Sequence, residues 1–239
     1  MSQKPLPKSH PRFSSLSQRH ALEAGVKDGI THPTGLIAFG RGEAFDYLLH
    51  EKTHPFAQKA IAKAAQEIRK AKNFVISVNG NTSALCPREI VQLARASGGK
   101  LEVNLFYRSE ERIKKIISAL KKSGAKKVYG LKDDARVSGL ASDRAKISSK
   151  GIGSADLVLV MLEDGDRTEA LRKAGKKVIA VDLNPLSRTA RKASITIVDN
   201  VVRAIPLLTA ELKKKGAKSD AAYNNKKILR QAEKAIRKG

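Results

Sequence analysis

The chain has 239 residues, a formal net charge of +24 and one cysteine, Cys86. A single cysteine excludes an internal disulfide and any multi-cysteine metal site. This length allows one large domain or two small ones with a substantial buried core. The charge fits nucleic-acid binding, the steering of anionic substrates, or a surface adapted to salt or heat. Charge alone therefore does not identify a reaction.

The N-terminus is basic, and it carries neither a membrane span nor an apolar signal core. No apolar run in the chain approaches transmembrane length, and the first residues read MSQKPLPKSHPR. We therefore expect residues 1–13 to form a flexible basic arm. We also expect a cytoplasmic protein that does not enter a membrane.

The segment after this arm is predicted to be a helical layer, residues 14–72. A first helix can be capped by Ser14 or Ser15 and runs to about Lys27. In the next segment, LIAFGRGEAFDYLL, an apolar run stops at Gly40 and a helix begins. An alanine-rich helix then extends to Lys72.

Apolar runs typical of buried strands alternate with helical segments in the rest of the chain. Strands are predicted over residues 74–78, 101–107, 127–130, 155–162, 176–183 and 195–198. Helices are predicted from Pro87, over 109–124 and 168–174, and over 201–215. Residues 133–150 form a predicted loop that covers a site.

This alternation predicts an α/β fold with a mostly parallel sheet of about five strands, covered by helices on both faces. Residues 14–215 are assigned to a single α/β domain. Residues 216–239 are assigned to a basic C-terminal tail whose amphipathic pattern allows a helix.

The common nucleotide-binding fingerprints are missing. No GxxxxGK[ST] loop occurs, which excludes a classical P-loop. The glycine pairs at 40 and 42 and at 151 and 153 are incomplete GxG fragments, which argues against an ordinary dehydrogenase. The five histidines do not have the HExxH spacing of a zinc hydrolase.

The segment VIAVDLNPLSRTARKASITIVDN, residues 178–200, nevertheless has the pattern of a nucleotide site. One apolar strand ends in Asp182, and the next strand is followed directly by Asp199 and Asn200. In open α/β sheets, ligands bind beyond the carboxyl ends of the strands. Arg188 and Arg191 between the two strands supply positive charge suited to phosphate.

Further candidate residues follow other strand-like runs. Asn79 and Asn81 follow the first strand and suit either a polar substrate or a structural turn. Arg41 lies between two glycines, where an anion can approach it. A helix cap with a solvated arginine is the alternative, and the glycine-flanked pattern after an apolar run favours an anion clamp. The segment EDGDR, with Asp164 and Asp166, suits Mg²⁺ or an amine, but Asp-Gly is also a turn signal.

At these residues the chain resembles the archaeal 4-phosphopantoate–β-alanine ligases, also called archaeal phosphopantothenate synthetases. The matching stretches include GLIAFGRGEAFDYL, ISVNGN, EVNLFYRSEER, LEDGDR and VIAVDLNPLSRTARKASITIVDNVVRAIPL. They are spread over roughly residues 9–208, which is nearly the whole chain without its tails.

The resemblance implies a Rossmann-like core, a homodimer, and a reaction that uses Mg²⁺ and ATP. It implies that 4-phosphopantoate and β-alanine are condensed to 4′-phosphopantothenate, with AMP and diphosphate as the other products, in coenzyme A biosynthesis. The family's ATP contacts fall here on Arg19, Arg41, Asp182, Leu183, Asn184, Arg188, Thr189, Asn200 and Val201.

The chemistry suggests roles for some of these residues. Asp182 is expected to accept hydrogen bonds from ribose hydroxyls, and the amide of Asn184 or Asn200 is expected to read adenine. Four residues are the catalytic candidates that we expect to hold the polar substrate or orient β-alanine: Asn79, Asn81, Asp164 and Asp166. The general base and the metal ligands are left unassigned.

Two other functions remain open at this stage. One is a nucleic-acid-binding α/β protein, which the charge favours, although we do not expect specific nucleic-acid binding. The other is an ATP-dependent acid–amine ligase that uses a different acid.

Overall fold

The computed structural model of the chain describes residues 7–214 and 223–238. Residues 1–6 of the predicted arm and residues 216–222 of the predicted tail lie outside this range. In the described part, no helix is both long and apolar enough to cross a membrane. The proposed domain limits remain predictions.

Three helices form the predicted N-terminal layer: α1 (Phe13–Lys27), α2 (Pro33–Leu48) and α3 (Pro55–Lys70). The prediction that a helix begins only at Gly40 is wrong, because α2 runs unbroken through that residue. Its start is defined by His32, whose Nδ1 accepts the N–H of Thr34 at 3.3 Å. Pro33 then takes the first helical position, where its missing N–H costs nothing.

Six parallel strands form the central sheet: β1 (Phe74–Val78), β2 (Lys100–Val103), β3 (Val128–Tyr129), β6 (Leu157–Met161), β7 (Lys177–Val181) and β8 (Ile195–Ile197). Their spatial order is β3-β2-β1-β6-β7-β8. The predicted α/β class with a parallel sheet is confirmed, with six strands where about five were expected. The predicted strand 101–107 is too long, because β2 ends at Val103, where its pairing with β1 stops.

Helices connect the strands of the sheet. They are α4 (Gly80–Leu85), α5 (Pro87–Ser97), α6 (Glu110–Lys122), α7 (Gly165–Lys173), α8 (Arg188–Lys192) and α9 (Val201–Lys213). The structure begins α7 before the predicted position 168, because the side chain of Asp164 accepts the N–H of Arg167 and caps the helix there.

The predicted loop 133–150 contains a small antiparallel hairpin. Its strands are β4 (Ala135–Arg136) and β5 (Lys146–Ile147). We call residues 131–150 the hairpin segment. Val137 and Ile147 are buried in the core beneath it, so this segment covers the sheet where a helix would otherwise lie.

The sheet has a separate apolar core on each face, because successive strand residues point in opposite directions. Ile76 and Val78 belong to the larger core, which includes residues of α3, α5, α6 and α9. Val75 and Val158 belong to the smaller core, which includes residues of α7 and the hairpin segment. Cys86 is buried in the larger core, and this burial raises the pKa of its thiol.

A last helix, α10 (Asn225–Arg237), lies in the segment that the sequence analysis treats as a basic tail. Its residues Ile228, Leu229 and Ala232 are buried in the larger core. The helix packs on α3, α8 and β8. The helix that the pattern allowed therefore exists, and it contributes to the same core as the sheet.

Counted along the chain, the six sheet strands have the spatial order 3-2-1-4-5-6, which is that of the Rossmann fold. The order reverses between β1 and β6. At such a switch point the two connections leave in opposite directions, and their separation opens a crevice at the carboxyl ends of the strands. The fold thus defines one edge of the sheet as the place for a ligand.

Candidate functional site

Most of the predicted site residues lie at this carboxyl edge. Asn79 and Asn81 follow β1, and Asp164 and Asp166 follow β6. The remaining ones follow the next two strands: Asp182, Leu183, Asn184, Arg188 and Thr189 after β7, and Asn200 and Val201 after β8.

The loop after β7 folds around the carboxylate of Asp182. The N–H of Asn184 donates to Oδ1 at 2.9 Å, and the hydroxyl of Ser187 donates to Oδ2. Ser187 also caps α8, because its Oγ accepts the N–H of Ala190. Burial raises the pKa of Asp182, and the bonds from Ser187 and Asn184 offset part of that rise. Leu183 is buried in the same loop.

The first two residues of α8 connect this loop to the one after β6. Arg188 has a side chain that is 57% exposed and pairs with Asp166 at 2.5 Å and with Glu169 at 3.0 Å. Hydrogen bonds, the largest from Arg188, lower the pKa of Glu169 to about 2. The hydroxyl of Thr189 donates to the carbonyl of Glu163 at 2.8 Å.

The loop after β6 carries three carboxylates, and arginines pair with each of them. Glu163 pairs with Arg144 of the hairpin segment and, at 2.6 Å, with the fully buried Arg167. Arg144 also reaches Asp164 at 3.2 Å. Burial lowers the pKa of both arginines to about 10. In the described part of the chain, no group of three or more His, Cys, Asp or Glu side chains converges as a metal site.

Asn79 and Asn81 use their amides to join elements of the fold. Asn79 donates to the carbonyl of Met161 at 2.8 Å and so bridges β1 and β6 at the switch point. Its Oδ1 accepts the N–H of Thr82, which caps α4. Asn81 donates to the carbonyl of Gly35 at 2.8 Å and ties α4 to α2. These contacts give both amides structural partners, in a helix cap and in contacts between elements. The alternative role of the two residues in binding a polar substrate stays a prediction.

Asn200 is the centre of a buried polar cluster at the end of β8. Its Nδ2 donates to Gln18 Oε1 at 2.9 Å and to Asp46 Oδ2 at 2.8 Å. Asp46 pairs in turn with Arg203 at 2.5 Å, and Arg203 pairs with Asp199 at 2.7 Å. We call Gln18, Asp46, Asp199, Asn200 and Arg203 the Asn200 cluster. It attaches α1 and α2 to the carboxyl edge of the sheet.

Arg19 and Arg41 come from these two N-terminal helices. Arg19 makes two bonds of 2.9 Å to the carboxylate of Glu43, which raise the pKa of the arginine. Arg41 is exposed on α2. A β-carbon added at the neighbouring Gly42 would lie 3.8 Å from Leu183 Cδ1, so α2 passes close to the loop after β7.

Two cavities contain predicted site residues. A cavity of about 730 Å³ between α1 and α2 includes Arg19 in its lining. A second cavity, of about 350 Å³, lies between α7, the start of α8 and the hairpin segment, and Asp164, Asp166 and Arg188 line it. The structure therefore brings these last three residues together. It places Arg19 in a different cavity. The other predicted site residues lie outside both linings: Arg41, Asn79, Asn81, Asp182, Leu183, Asn184, Thr189, Asn200 and Val201.

Sequence reasoning missed several residues that shape this region. Arg144 and Asp46 are the clearest. Arg144 lies in a segment without a recognisable motif, and Asp46 lies in the matching stretch GLIAFGRGEAFDYL, whose pattern gives this residue no role. Glu102 offered a signal, since it is a charged residue on an otherwise apolar strand. It is fully buried, and it accepts the N–H groups of Ser148 and Ile152 at 3.1 and 2.7 Å, which holds the end of the hairpin segment.

Fold and site together define a doubly wound α/β protein whose polar and charged residues gather at the switch-point edge. Residues 56–239 match the model of the phosphopantothenate/pantothenate synthetase family. The chain is 52% identical over 205 residues to a 4-phosphopantoate–β-alanine ligase of Thermococcus onnurineus, a match that covers 85% of this chain and 78% of that protein.

Two further relatives carry the same name. The one from Methanosarcina mazei is 49% identical over 234 residues, covering 95% of this chain and 92% of its own. The one from Methanospirillum hungatei is 50% identical over 200 residues, covering 84% and 82%. The chain belongs to the phosphopantothenate/pantothenate synthetase family.

Proposed function

We propose that this protein is an ATP-dependent ligase that condenses 4-phosphopantoate with β-alanine, forming 4′-phosphopantothenate, AMP and diphosphate for coenzyme A biosynthesis. The observation that carries the proposal is the identity of about half of all aligned residues to relatives with this name. A cytoplasmic location, where ATP is available, belongs to the same proposal.

ATP is assigned to the loops after β7 and β8. Asp182 is held by its own loop with its carboxylate at the strand end, where it suits the ribose hydroxyls. Both side-chain amide hydrogens of Asn200 already have partners, and its backbone N–H donates to Asp199 Oδ1 at 2.8 Å, so we assign adenine recognition to the backbone N–H of Val201 instead. Val201 is the first residue of α9, and its N–H has no carbonyl within that helix to bond.

The phosphates are assigned to the arginines. Arg188 is exposed and borders the 350 Å³ cavity, and its guanidinium can give two parallel hydrogen bonds to phosphate oxygens. Arg19 and Arg41 approach from α1 and α2. The present partner of Arg19 is the carboxylate of Glu43 at an accessible surface, and such a pair is weak enough to exchange for a ligand.

The 350 Å³ cavity is the proposed place for 4-phosphopantoate and β-alanine. Phe106 and Leu140 offer apolar surface, while Lys173 and Arg188 offer positive charge. This combination suits an acid with an aliphatic body and a phosphate group. The amides of Asn79 and Asn81 are engaged elsewhere, so we consider Asp164 and Asp166 the first candidates for orienting the amine.

Activation of the acid requires ATP, because a carboxylate is a poor acyl donor to an amine. An oxygen of the acid attacks the α-phosphorus, and the bond to diphosphate breaks to leave an acyl adenylate. The amine of β-alanine then attacks the acyl carbon, AMP leaves, and the nitrogen loses a proton. The protein's main task is to offset the repulsion between two highly anionic reactants, which fixed arginines do well.

Mg²⁺ is part of this proposal, and the residues present fit it. Asp164 and Asp166 are oxygen ligands at one cavity, and Mg²⁺ in nucleotide sites is commonly held by one or two carboxylates together with phosphate oxygens. When bound there, the ion would neutralise phosphate charge. The pairing of Asp166 with Arg188 supports this assignment, because it holds the carboxylate beside the arginine that we assign to phosphate.

A homodimer is also proposed, with α2 at its interface. Ile37, Gly40, Ala44 and Leu48 recur at three- and four-residue spacing and therefore share one face of the helix. All four are exposed, and the side chain of Ile37 is 69% exposed. We call this surface the α2 stripe. An exposed apolar stripe of this kind is typical of a protein–protein contact.

The test of the reaction follows AMP release from protein incubated with Mg²⁺, ATP, 4-phosphopantoate and β-alanine. AMP is expected only when both carbon substrates are present. Formation of ADP would indicate an acyl-phosphate intermediate instead of an acyl adenylate. Activity only with another acid would indicate a ligase for that acid. A lack of AMP together with tight, salt-sensitive binding of RNA or DNA would favour a nucleic-acid-binding protein.

A further inference from the structure

The short helix α8 carries two of the proposed ATP contacts, Arg188 and Thr189, and it has only five residues. A helix of this length has almost no internal hydrogen bonds, so its backbone groups need partners from elsewhere. At its start, Ser187 caps the helix and also donates to Asp182. The start of α8 is therefore held by the proposed ATP loop itself.

The end of α8 is held by one side chain of the C-terminal helix. Asn225 Nδ2 donates to the carbonyl of Ala190, in the last turn of α8, at 3.1 Å. It also donates to the carbonyl of Ala193, which follows the helix, at 3.3 Å. On its other side, Asn225 Oδ1 accepts the N–H of Thr196 at 2.7 Å and the hydroxyl of Tyr223 at 2.9 Å. A single amide thus connects α8 to the outer strand β8.

Thr196 reinforces the same connection. Its hydroxyl donates to the carbonyl of Ala190 at 2.7 Å, and Asn225 Nδ2 lies 3.2 Å from that hydroxyl oxygen. Thr196 is fully buried, and Asn225 is partly buried at the start of α10. The contacts are therefore shielded from water, which makes each of them costly to lose.

We propose that Asn225 is a positioning residue for ATP binding, and this inference rests on the proposed function of α8. Asn225 touches no proposed ligand contact directly. It fixes the carbonyls at the end of α8, and this fixes where the beginning of the helix presents Arg188 and Thr189. The segment assigned from sequence to a basic tail thereby becomes part of the ATP site's support.

The sharpest variant is Asn225→Asp, because it separates the two sides of the amide. Aspartate keeps an oxygen that accepts from Thr196 and Tyr223, but it has no N–H groups for Ala190 and Ala193. A carboxylate also repels these two carbonyls. We expect the Kd for Mg²⁺-ATP, measured by calorimetry, to rise about tenfold, which corresponds to the loss of one or two shielded hydrogen bonds.

Steady-state kinetics should show the same selectivity. The KM for ATP is expected to rise, while the KM for 4-phosphopantoate and the kcat change little. Thr196→Val provides a second variant, because it removes the hydroxyl bond to Ala190 at similar volume. It should weaken ATP binding in the same direction, and it keeps the inference testable if Asn225→Asp does not fold.

Asn224→Ala is the matched control. Asn224 caps α10 by accepting the N–H of Lys227 at 3.1 Å, is exposed, and belongs to the same helix start without bonding to α8. It should lower thermal stability as a lost cap does and leave ATP binding unchanged. Unchanged ATP binding in folded Asn225→Asp, or an equal loss of ATP affinity in Asn224→Ala, would overturn this inference and leave the proposed function unaffected. Absence of ATP binding by the unaltered protein would overturn the proposed function and this inference with it.

Discussion

Asn200 Nδ2 lies 2.8 Å from Asp46 Oδ2 and thereby joins the end of β8 to the middle of α2. The same nitrogen also bonds to Gln18 of α1. The residue that the sequence suggested as a reader of adenine thus uses its amide to attach two helices. Those helices carry Arg19 and Arg41, so the Asn200 cluster determines where both arginines lie relative to the strand ends.

The first prediction concerns the stability that this cluster provides. Asp46 has a side chain that is 3% exposed, and Asp46→Ala removes partners of both Asn200 and Arg203. We expect the free energy of unfolding to fall by about 2 to 3 kcal/mol, since Arg203 keeps Asp199. Urea denaturation measures it. Glu23→Ala, on the exposed surface of α1, is the control and should change the free energy of unfolding by less than about 0.5 kcal/mol. Equal losses of stability in both variants would contradict the prediction.

The second prediction separates binding from stability at Arg188. Its partners Asp166 and Glu169 form accessible ion pairs, so Arg188→Ala should cost at most about 1 kcal/mol of stability. Ligase activity should fall about a hundredfold, because charge that faces the phosphates is lost. Lys192→Ala, which removes another partner of Glu169 from the same helix, should keep its activity.

Arg41→Ala should behave like Arg188→Ala in AMP release and in thermal stability. Unfolding of either arginine variant in place of inactivation would point to a structural role. Retained activity in both would remove these arginines from the proposed ATP site.

The third prediction is a pH dependence that originates in Asp182. Because its pKa is raised above the ordinary value of 3.8, the carboxyl becomes protonated at a higher pH than an exposed aspartate. ATP affinity should therefore fall as the pH drops through this raised pKa and stay constant above it. Asp182→Asn should bind ATP more weakly at neutral pH, without this dependence, as calorimetry on protein shown to be folded at each pH would reveal.

The effect of pH on the stability contribution of Asp182 has the opposite sign to that of a paired surface carboxylate. A carboxyl whose folded pKa is raised favours folding fully below pH 3.8, and this contribution disappears as the pH rises through the folded pKa. Asp182→Asn should consequently keep or slightly raise the melting temperature at neutral pH. A marked drop would show that the ionised form is stabilised by contacts that Asn cannot replace.

The fourth prediction concerns the hairpin segment over the 350 Å³ cavity. Arg144 bonds to Glu163 and Asp164 and so holds this segment against the loop after β6. Arg144→Ala should speed amide hydrogen exchange in residues 135–148 by about tenfold or more, while exchange in the central strands changes little. Asp143→Asn, which affects only the accessible pair with Lys146, is the control.

The fifth prediction tests the α2 stripe. Ile37→Glu places a charge in the proposed interface and should shift the protein from dimer to monomer in sedimentation experiments, with its helix content retained. Leu207→Glu alters another exposed apolar residue, on α9, and should leave the dimer intact. A monomeric unaltered protein would contradict the α2 interface and the dimer itself.

The strands with uniformly apolar residues could be predicted from sequence, because burial on both faces leaves a local signature. FVISV at β1 and LVLVM at β6 are examples. The start of α2 could not be predicted, because the apolar, glycine-containing run up to Gly40 resembles a strand that ends there. The helix depends instead on its cap at His32 and on packing against α4, and neither is visible in the run itself.

The site shows the same division between local and distant information. Asp182, Asn184 and Ser187 contact one another within five residues, so a strand-end motif was enough to find this loop. Asp46 and Arg203 are 157 positions apart in the chain, and nothing in the local sequence around either residue indicates the other. Such a pair follows only from the way that α2 and α9 pack, which no local pattern encodes.

The sheet offers few free backbone groups at its two edges. One edge strand, β3, has only two residues, and on the other the outward N–H of Thr196 is taken by Asn225. Exposed strand edges are where sheets of separate molecules pair and grow into aggregates. Strand addition is therefore disfavoured at both edges, and association through the proposed α2 interface, with the same face from both copies, would give a closed dimer. A protein built in this way should resist aggregation through strand pairing at high protein concentration.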